Sequence, residues 1–253
     1  MNTELSASDP WMPIALSRDI PRASSAPLIA SGLEVALWRD SNGTAHAWRD
    51  RCPHRGMRFS FGFVRGETLT CLYHGWRYGP DGGCRYIPAH PDLEPPKSIC
   101  AETYPCVESG GIVWMRRGAS LDDTAPPAVS SGAVPVRSLA IEAGSDTVDR
   151  LLADPAQPFM ARPGSRRSGP RLARVSKHLT LIKNTGMRPD WAELFVASQP
   201  VDGRRTTLHI LVVPAGPADP AVLLTRISRQ AERFRRACEA AQTRAALETE
   251  IAA

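Results

Sequence analysis

Two short clusters constrain this chain more than anything else in it: Cys52-Pro53-His54 and Cys71-Leu72-Tyr73-His74, separated by sixteen residues. Each pairs one thiol with one imidazole, and each is closed by a glycine, Gly56 or Gly75. Within a cluster the Cys and His lie too close in sequence to grip opposite sides of one small ion without strain. From two facing loops they can clasp the two ends of a larger object. A fold that serves this pattern must hold two loops face to face.

The flanking sequence predicts such a frame. "GLEVALWR" (32–39) and "TAHAWR" (44–49) flank Ser41-Asn42-Gly43, where Asn-Gly tolerates the positive φ of a hairpin turn. "ETLTCL" (67–72), "CRYIP" (84–88) and "GIVWMR" (111–116) are further strand candidates, so this region predicts a compact antiparallel sheet or small barrel. "SLDDTAPPAVSSGAVP" (120–135) lacks periodicity and reads as a linker. Beyond it, "SDTVDRLLADPAQPF" (145–159) predicts a short helix stopped by Pro155 and Pro158. "AELFVAS" (192–198) and "TTLHILVVP" (206–214) predict strands. Asp219-Pro220 predicts a helix start, after which Leu223, Ile227, Ala231, Phe234, Cys238, Ala241 and Ala245 recur on one face. The expected organisation is a first, β-rich domain over 9–118, a linker over 119–135 and a small α+β domain over 136–253.

The chemistry of the four residues narrows what they hold. A [2Fe–2S] cluster fits when two thiolates take one iron and two imidazoles the other. Cys52 and Cys71 would supply the thiolates, His54 and His74 the imidazoles. Gly56 and Gly75 would let backbone N–H groups approach the bridging sulfides. A structural zinc site is the alternative, although its usual order is a cysteine pair followed by a histidine pair, at other spacings. The remaining cysteines do not suggest a disulfide framework in a chain of 253 residues without a secretion signal. Cys100, Cys106 and Cys238 read as small buried hydrophobes, and Cys84 as packing behind the cluster.

"RCPHRGMRFSFG" followed by "LTCLYHGWRYGPDGGCRYIP" closely resembles the Rieske domain of the non-haem iron, ring-hydroxylating and demethylating oxygenases. "DPWMPIALSRDIP", "ALWRDSNGTAHAWRDRCPHRG" and "YPCVESGGIVWM" resemble that family's opening and closing strands, so the likeness covers roughly residues 9–117. Met57 and Tyr73 stand where respiratory-chain Rieske proteins carry an extra, disulfide-forming cysteine in each loop. The resemblance is thus to the soluble, lower-potential oxygenase or ferredoxin type. It implies an all-β Rieske [2Fe–2S] domain of antiparallel sheets, followed by an α+β, helix-grip-like domain.

In that family the second domain holds a mononuclear iron on two His and one carboxylate. The best counterpart here is "RLLADPAQPFMARPG" (150–164), with Gln157 where the first His is expected and Ala161 where the second is. An ordinary iron site cannot be built from these residues, and the domain is short. The resemblance implies that Asp154 matches an Asp linking a cluster-bound His to the catalytic iron of a neighbouring subunit; a turn before Pro155 is the plain alternative. His178 and His209 fall in expected strands, and His90 in an exposed Pro-rich loop.

The expected function is single-electron transfer in a ring-hydroxylating or demethylating oxygenase system, with mononuclear Fe(II) not expected. A terminal oxygenase using atypical ligands such as Asp154 with His178 or His209 is the alternative, acting with O₂ on a small aromatic or apolar substrate. A redox sensor or scaffold is a third. The implied partners are an NAD(P)H-linked reductase or ferredoxin, or a complete oxygenase subunit; an oligomer is possible in such a family. The formal net charge of +5 suits an acidic protein partner. Arginines in 162–177 and along the last helix (Arg226, Arg229, Arg233, Arg235, Arg236) are candidate docking positions. Without a nucleic-acid module, an apolar run of membrane length or a leader segment, the chain is expected to be cytoplasmic.

Overall fold

The computed structural model describes residues 11–118, 124–159, 170–185, 190–217 and 219–252. The chain divides into two units between Pro126 and Pro127.

The first unit contains β1 (Met12–Leu16), β2 (Ser24–Ala30), β3 (Leu33–Arg39), β4 (Ala45–Arg49), β5 (Phe63–Arg65) and β6 (Thr68–Thr70). It continues with β7 (Arg77–Tyr78), β8 (Cys84–Tyr86), β9 (Thr103–Tyr104), β10 (Cys106–Ser109) and β11 (Ile112–Met115). They form three sheets, ordered β1-β11-β10, β2-β3-β4-β9 and β5-β6-β7-β8, and every pairing is antiparallel. The β3–β4 hairpin turns at Gly43 (φ 103°), and the Asp40 carboxylate accepts the Gly43 and Thr44 N–H groups at 2.7 and 2.8 Å. β2 lies outside the expected strands because Pro27 and its serines break the alternation; as an edge strand it tolerates the proline.

β3 explains why its sequence is almost continuously apolar. Val35 and Leu37 enter one core, with Ile14, Ala47, Val113 and Met115. Ala36 and Trp38 enter a second core on the opposite face, with Trp48, Phe59, Leu69 and Tyr78. Alternate side chains point to opposite faces, so both sets are buried at once. Cys52, Cys71 and Cys84 belong to this second core.

The second unit contains β12 (Val134–Ile141), α1 (Ser145–Leu152), β13 (Arg171–Ser176), β14 (Leu179–Lys183), β15 (Trp191–Pro200), β16 (Thr206–Pro214) and α2 (Pro220–Ala252). β12 begins within the stretch read as linker. The strands form one antiparallel sheet, β12-β16-β15-β14-β13. Leu223, Ile227, Ala231, Phe234 and Cys238 of α2 pack with Leu194, Val196, Leu208, Ile210 and Val212 of β15 and β16. This is a helix held against one antiparallel sheet in the helix-grip manner.

Three sequence expectations need correction. Ala245 is exposed, as is all of 243–249, so the buried face of α2 ends at Ala241. His178 lies in the two-residue turn between β13 and β14 rather than in a strand, although it is buried. Cys100 is exposed and Cys106 half-buried, because both sit on short edge segments; Cys238 is buried as expected. Among the described residues, no helix is long and apolar enough to cross a membrane.

Candidate metal centre

The two Cys–His loops share one backbone design. In the first, Cys52 N–H donates to Met57 O (2.8 Å) and Gly56 N–H to Cys52 O (2.8 Å). In the second, Cys71 N–H donates to Trp76 O (2.9 Å) and Gly75 N–H to Cys71 O (3.0 Å). Each loop is thus a five-residue reverse turn beginning at a cysteine. The glycine is required four residues later because the chain turns there at φ 73° or 68°, which L side chains rarely adopt. A side chain at Gly75 would also press on the Pro88 ring, 3.1 Å from its Cβ position.

The frame pins both loops. Before the first, buried Asp50 accepts the Ser60 N–H at 2.8 Å and the Ser60 hydroxyl at 2.6 Å, tying its two ends together. The second runs directly from β6 into β7.

This design sorts the donors by type. Both thiols turn inward, with Cys52 3% and Cys71 2% exposed, and they hydrogen-bond to each other. Both imidazoles turn outward, with His54 half-buried, His74 exposed and ring centroids 4.6 Å apart. Trp76 stacks on His54 at 4.0 Å and Tyr73 on His74 at 3.9 Å, restraining each ring.

The surroundings favour negative sulfur. The Cys71 thiol holds Cys52 well below its ordinary value, at about 6; the Tyr78 hydroxyl, 3.2 Å away, and the His54 and Arg55 amides assist against burial. Cys71, as donor in that pair and itself buried, is pushed up, although the Tyr73 and His74 amides point at its sulfur. Each sulfur therefore receives amides from the residues two and three positions on. Burial, then the hydrogen bond to Cys52, pushes Tyr78 up, so it stays a phenol able to donate. Burial lowers His54 and the His74 and Arg55 charges lower it further, favouring a neutral imidazole with a lone pair to give. Burial pushes the Cys84 thiol up, leaving it a packing residue behind the pair.

Tyr78 and Trp76 are contacts of the candidate site that sequence reasoning missed. Their signal was present in "CLYHGWRY": a strand of two residues starting just after the second loop points Tyr78 inward towards the sulfurs.

Asp154, Gln157, His178 and His209 are not brought together in this way. Asp154 is exposed and its carboxylate accepts the Ala156 N–H at 2.8 Å, an Asx turn ahead of the chain's next bend. Gln157 is buried, and its Oε1 accepts the Phe159 N–H at 2.7 Å. His209 is buried with Nδ1 2.9 Å from the Ser138 hydroxyl and Nε2 2.9 Å from Gln199 Oε1, so both ring nitrogens are engaged. His90 is exposed. Ala161, Arg162, Arg166 and Arg167 lie outside the described residues. Among the described residues, no three His, Cys, Asp or Glu side chains form a group able to hold a single metal ion; the four loop residues meet instead as a thiol pair and an imidazole pair. Three of the six arginines on α2 are paired: Arg226 with Asp190, Arg235 with Glu232 (2.5 Å) and Glu239 (2.7 Å), and Arg236 with Glu232 (3.3 Å).

Residues 10–105 match the family model described as the Rieske [2Fe–2S] domain. The first unit is a Rieske domain, which implies a [2Fe–2S] cluster, and the chain's relatives and structural neighbours lie among the Rieske non-haem iron oxygenases. Oxidoreductase NdmD of Pseudomonas putida is 42% identical over 109 residues, 43% of this chain but only 18% of NdmD. Methylxanthine N1-demethylase NdmA of the same organism is 33% identical over 136 residues, 52% of this chain and 39% of NdmA. The chain therefore spans well under half of these curated relatives in sequence. In fold the likeness extends further. The NdmA QL mutant with theobromine superposes with a TM-score of 0.78 at 18% identity, covering 90% of this chain and 80% of that one. Dicamba monooxygenase bound to dicamba gives 0.77 at 18% identity, covering 97% and 90%.

Proposed function

We propose that this chain carries single electrons in an oxygenase-type system. Its cluster would be held by Cys52 and Cys71 on one iron and by His54 and His74 on the other. The observation that carries this reading is the sorting of donors: two like loops bring thiol to thiol inside and imidazole to imidazole outside. That is the donor set a Rieske cluster needs, with backbone amides already aimed at the sulfurs. Four ligands meeting at one zinc ion would instead need all four side chains to converge.

Bound there, such a cluster accepts and returns one electron. The chain's own residues govern that exchange. The core around Cys52 and Cys71 excludes water from the sulfur side. The Tyr78 hydroxyl and the loop amides donate to the sulfurs, which stabilises added negative charge. His54 and His74 carry the centre to the surface, where a redox partner can approach. The donor would be an NAD(P)H-linked reductase or ferredoxin, and the acceptor a complete oxygenase subunit. In this reading 9–118 is the electron-carrying domain and 136–253 a shortened oxygenase-type domain.

A second reading, a terminal oxygenase acting with O₂ on a small aromatic or apolar substrate, draws support from the fold shared with dicamba monooxygenase. The engaged nitrogens of His209 and the exposed Asx turn of Asp154 weigh against it. Iron analysis of anaerobically purified protein separates the two. The first reading expects about two irons per chain and the second about three. A third iron accompanied by substrate-dependent O₂ uptake would overturn the first reading.

A further inference from the structure

The exposed edge of the site is framed by positive charge that no ion pair among the described residues neutralises. Arg51 and Arg55 flank His54 in the first loop, and both are exposed. Neither has an ion-pair partner among the described residues, whereas nearby Arg58 pairs with Glu34, Arg85 with Asp81 (2.6 Å) and Arg49 with Glu102 (3.1 Å). A cleft of about 470 Å³ opens beside the loop, lined by Arg49, Arg51, His54, Arg55, Cys100 and Glu102 among others, with three arginines against one glutamate. On its other side the loop adjoins an apolar tip. Leu72 and Tyr73 are each 56% exposed, and Tyr73 stacks on His74, whose ring lies 4.6 Å from that of His54.

An apolar centre with a charged rim is the anatomy of a transient protein interface. Unpaired arginines on such a rim mainly raise the rate of encounter with an oppositely charged partner. On α2, which the sequence also offers as a docking face, Arg226, Arg235 and Arg236 are paired with carboxylates, while Arg229, Arg233 and Arg244 have no ion-pair partner among the described residues. The loop arginines differ in that both are unpaired and both line the cleft that His54 also lines.

We propose that Arg51 and Arg55, with the tip at Leu72–Tyr73, form the docking surface for an acidic electron-transfer protein, which delivers its electron at the His54–His74 edge. The proposal rests on the cluster assignment made above. The partner carries carboxylates that enter the cleft beside Arg51 and Arg55. Its own redox centre comes to lie over the imidazole edge, where the path into the site is shortest.

The test is stopped-flow reduction of the intact, cluster-loaded chain by a photoreduced acidic [2Fe–2S] ferredoxin, used as probe, at low and high salt. Arg51→Glu with Arg55→Glu should slow reduction on the order of tenfold at low salt and flatten its salt dependence. Arg51→Gln with Arg55→Gln should give an intermediate loss, and serves if the charge reversal disturbs the loop. Reduction by a small neutral reductant should not change in either variant. Arg229→Glu with Arg233→Glu on α2 should leave the ferredoxin rate as it was. Intact iron–sulfur absorption with an unchanged ferredoxin rate in the loop variants would overturn the docking surface alone, as would an equal loss in the α2 variant. Absence of iron–sulfur absorption from the unaltered protein would overturn the cluster assignment and the docking surface together.

Discussion

The loops at Cys52 and Cys71 and the segment Asp154–Phe159 are the two places where the sequence suggests a metal, and they are built on opposite principles. In the loops, the backbone satisfies itself: each cysteine's own N–H and C=O close the turn, and the side-chain donors remain available. In the second segment the side chains satisfy the backbone, with Asp154 serving the Ala156 amide and Gln157 the Phe159 amide. The Asp154 and Gln157 oxygens keep lone pairs, but each is held on its own backbone turn, and among the described residues no further donors stand beside either to complete a site. Donor residues near one another in sequence are therefore not enough; convergence of their side chains decides the matter.

The largest test of that contrast is removal of one inward thiol. Cys71→Ser should abolish the visible iron–sulfur absorption and bring bound iron from about two per chain towards none, because an iron left with one thiolate is no longer held. Retention of the full spectrum would break the comparison at its stronger end.

A second test bears on the other unit, where histidine is buried as structure rather than as ligand. Burial in the β13–β14 turn lowers His178 to about 4, aided by the Lys177 and Arg174 charges and opposed by Asp149. Between its ordinary value of 6.5 and about 4 the unfolded chain binds the proton and the folded chain does not. Stability of the second unit should thus be complete above pH 6.5 and fall as pH drops towards 4, by on the order of 3 kcal/mol. Denaturant unfolding at pH 7 and pH 4.5, followed by a probe in the second unit, measures it. His178→Gln should flatten that dependence, and a slope unchanged by the substitution would show that another group titrates.

The smallest expected effect sharpens the first region. Tyr78→Phe keeps the ring packed against Phe59 but removes the hydroxyl 3.2 Å from Cys52. Losing one hydrogen bond to sulfur, about 1 kcal/mol, should lower the midpoint potential by tens of millivolts while leaving iron content unchanged. Redox titration of both proteins decides it, and an unchanged potential would mean that the hydroxyl serves packing alone.

Much of this was legible before any coordinates. The Asn42-Gly43 hairpin, the strands at 192–198 and 206–214 and the start of α2 at Pro220 follow from local rules, because turn chemistry and periodic apolar residues act over a few positions. The pairing of Cys52 with Cys71 and of His54 with His74 was readable for a similar reason: two motifs of one type imply one object between them. Several short or edge elements were not readable. β2 carries a proline, β7 and β9 are two residues long, and β13 is almost wholly exposed, so none has a burial pattern to betray it.

The sequence by itself set the candidate donors, the glycines at the two turns, and Gln157 and Ala161 where the family resemblance leads one to expect histidines, since these are matters of residue identity and spacing. Only the tertiary structure decided the state of each group. It turned the thiols inward and the imidazoles outward, brought Tyr78 to Cys52 across 26 positions, and engaged both nitrogens of His209. It also paired Arg226, Arg235 and Arg236 of α2 with carboxylates and left Arg51 and Arg55 without an ion pair among the described residues, beside His54. Burial, hydrogen bonding and ion pairing depend on which distant residues meet, and that is a property of the folded chain.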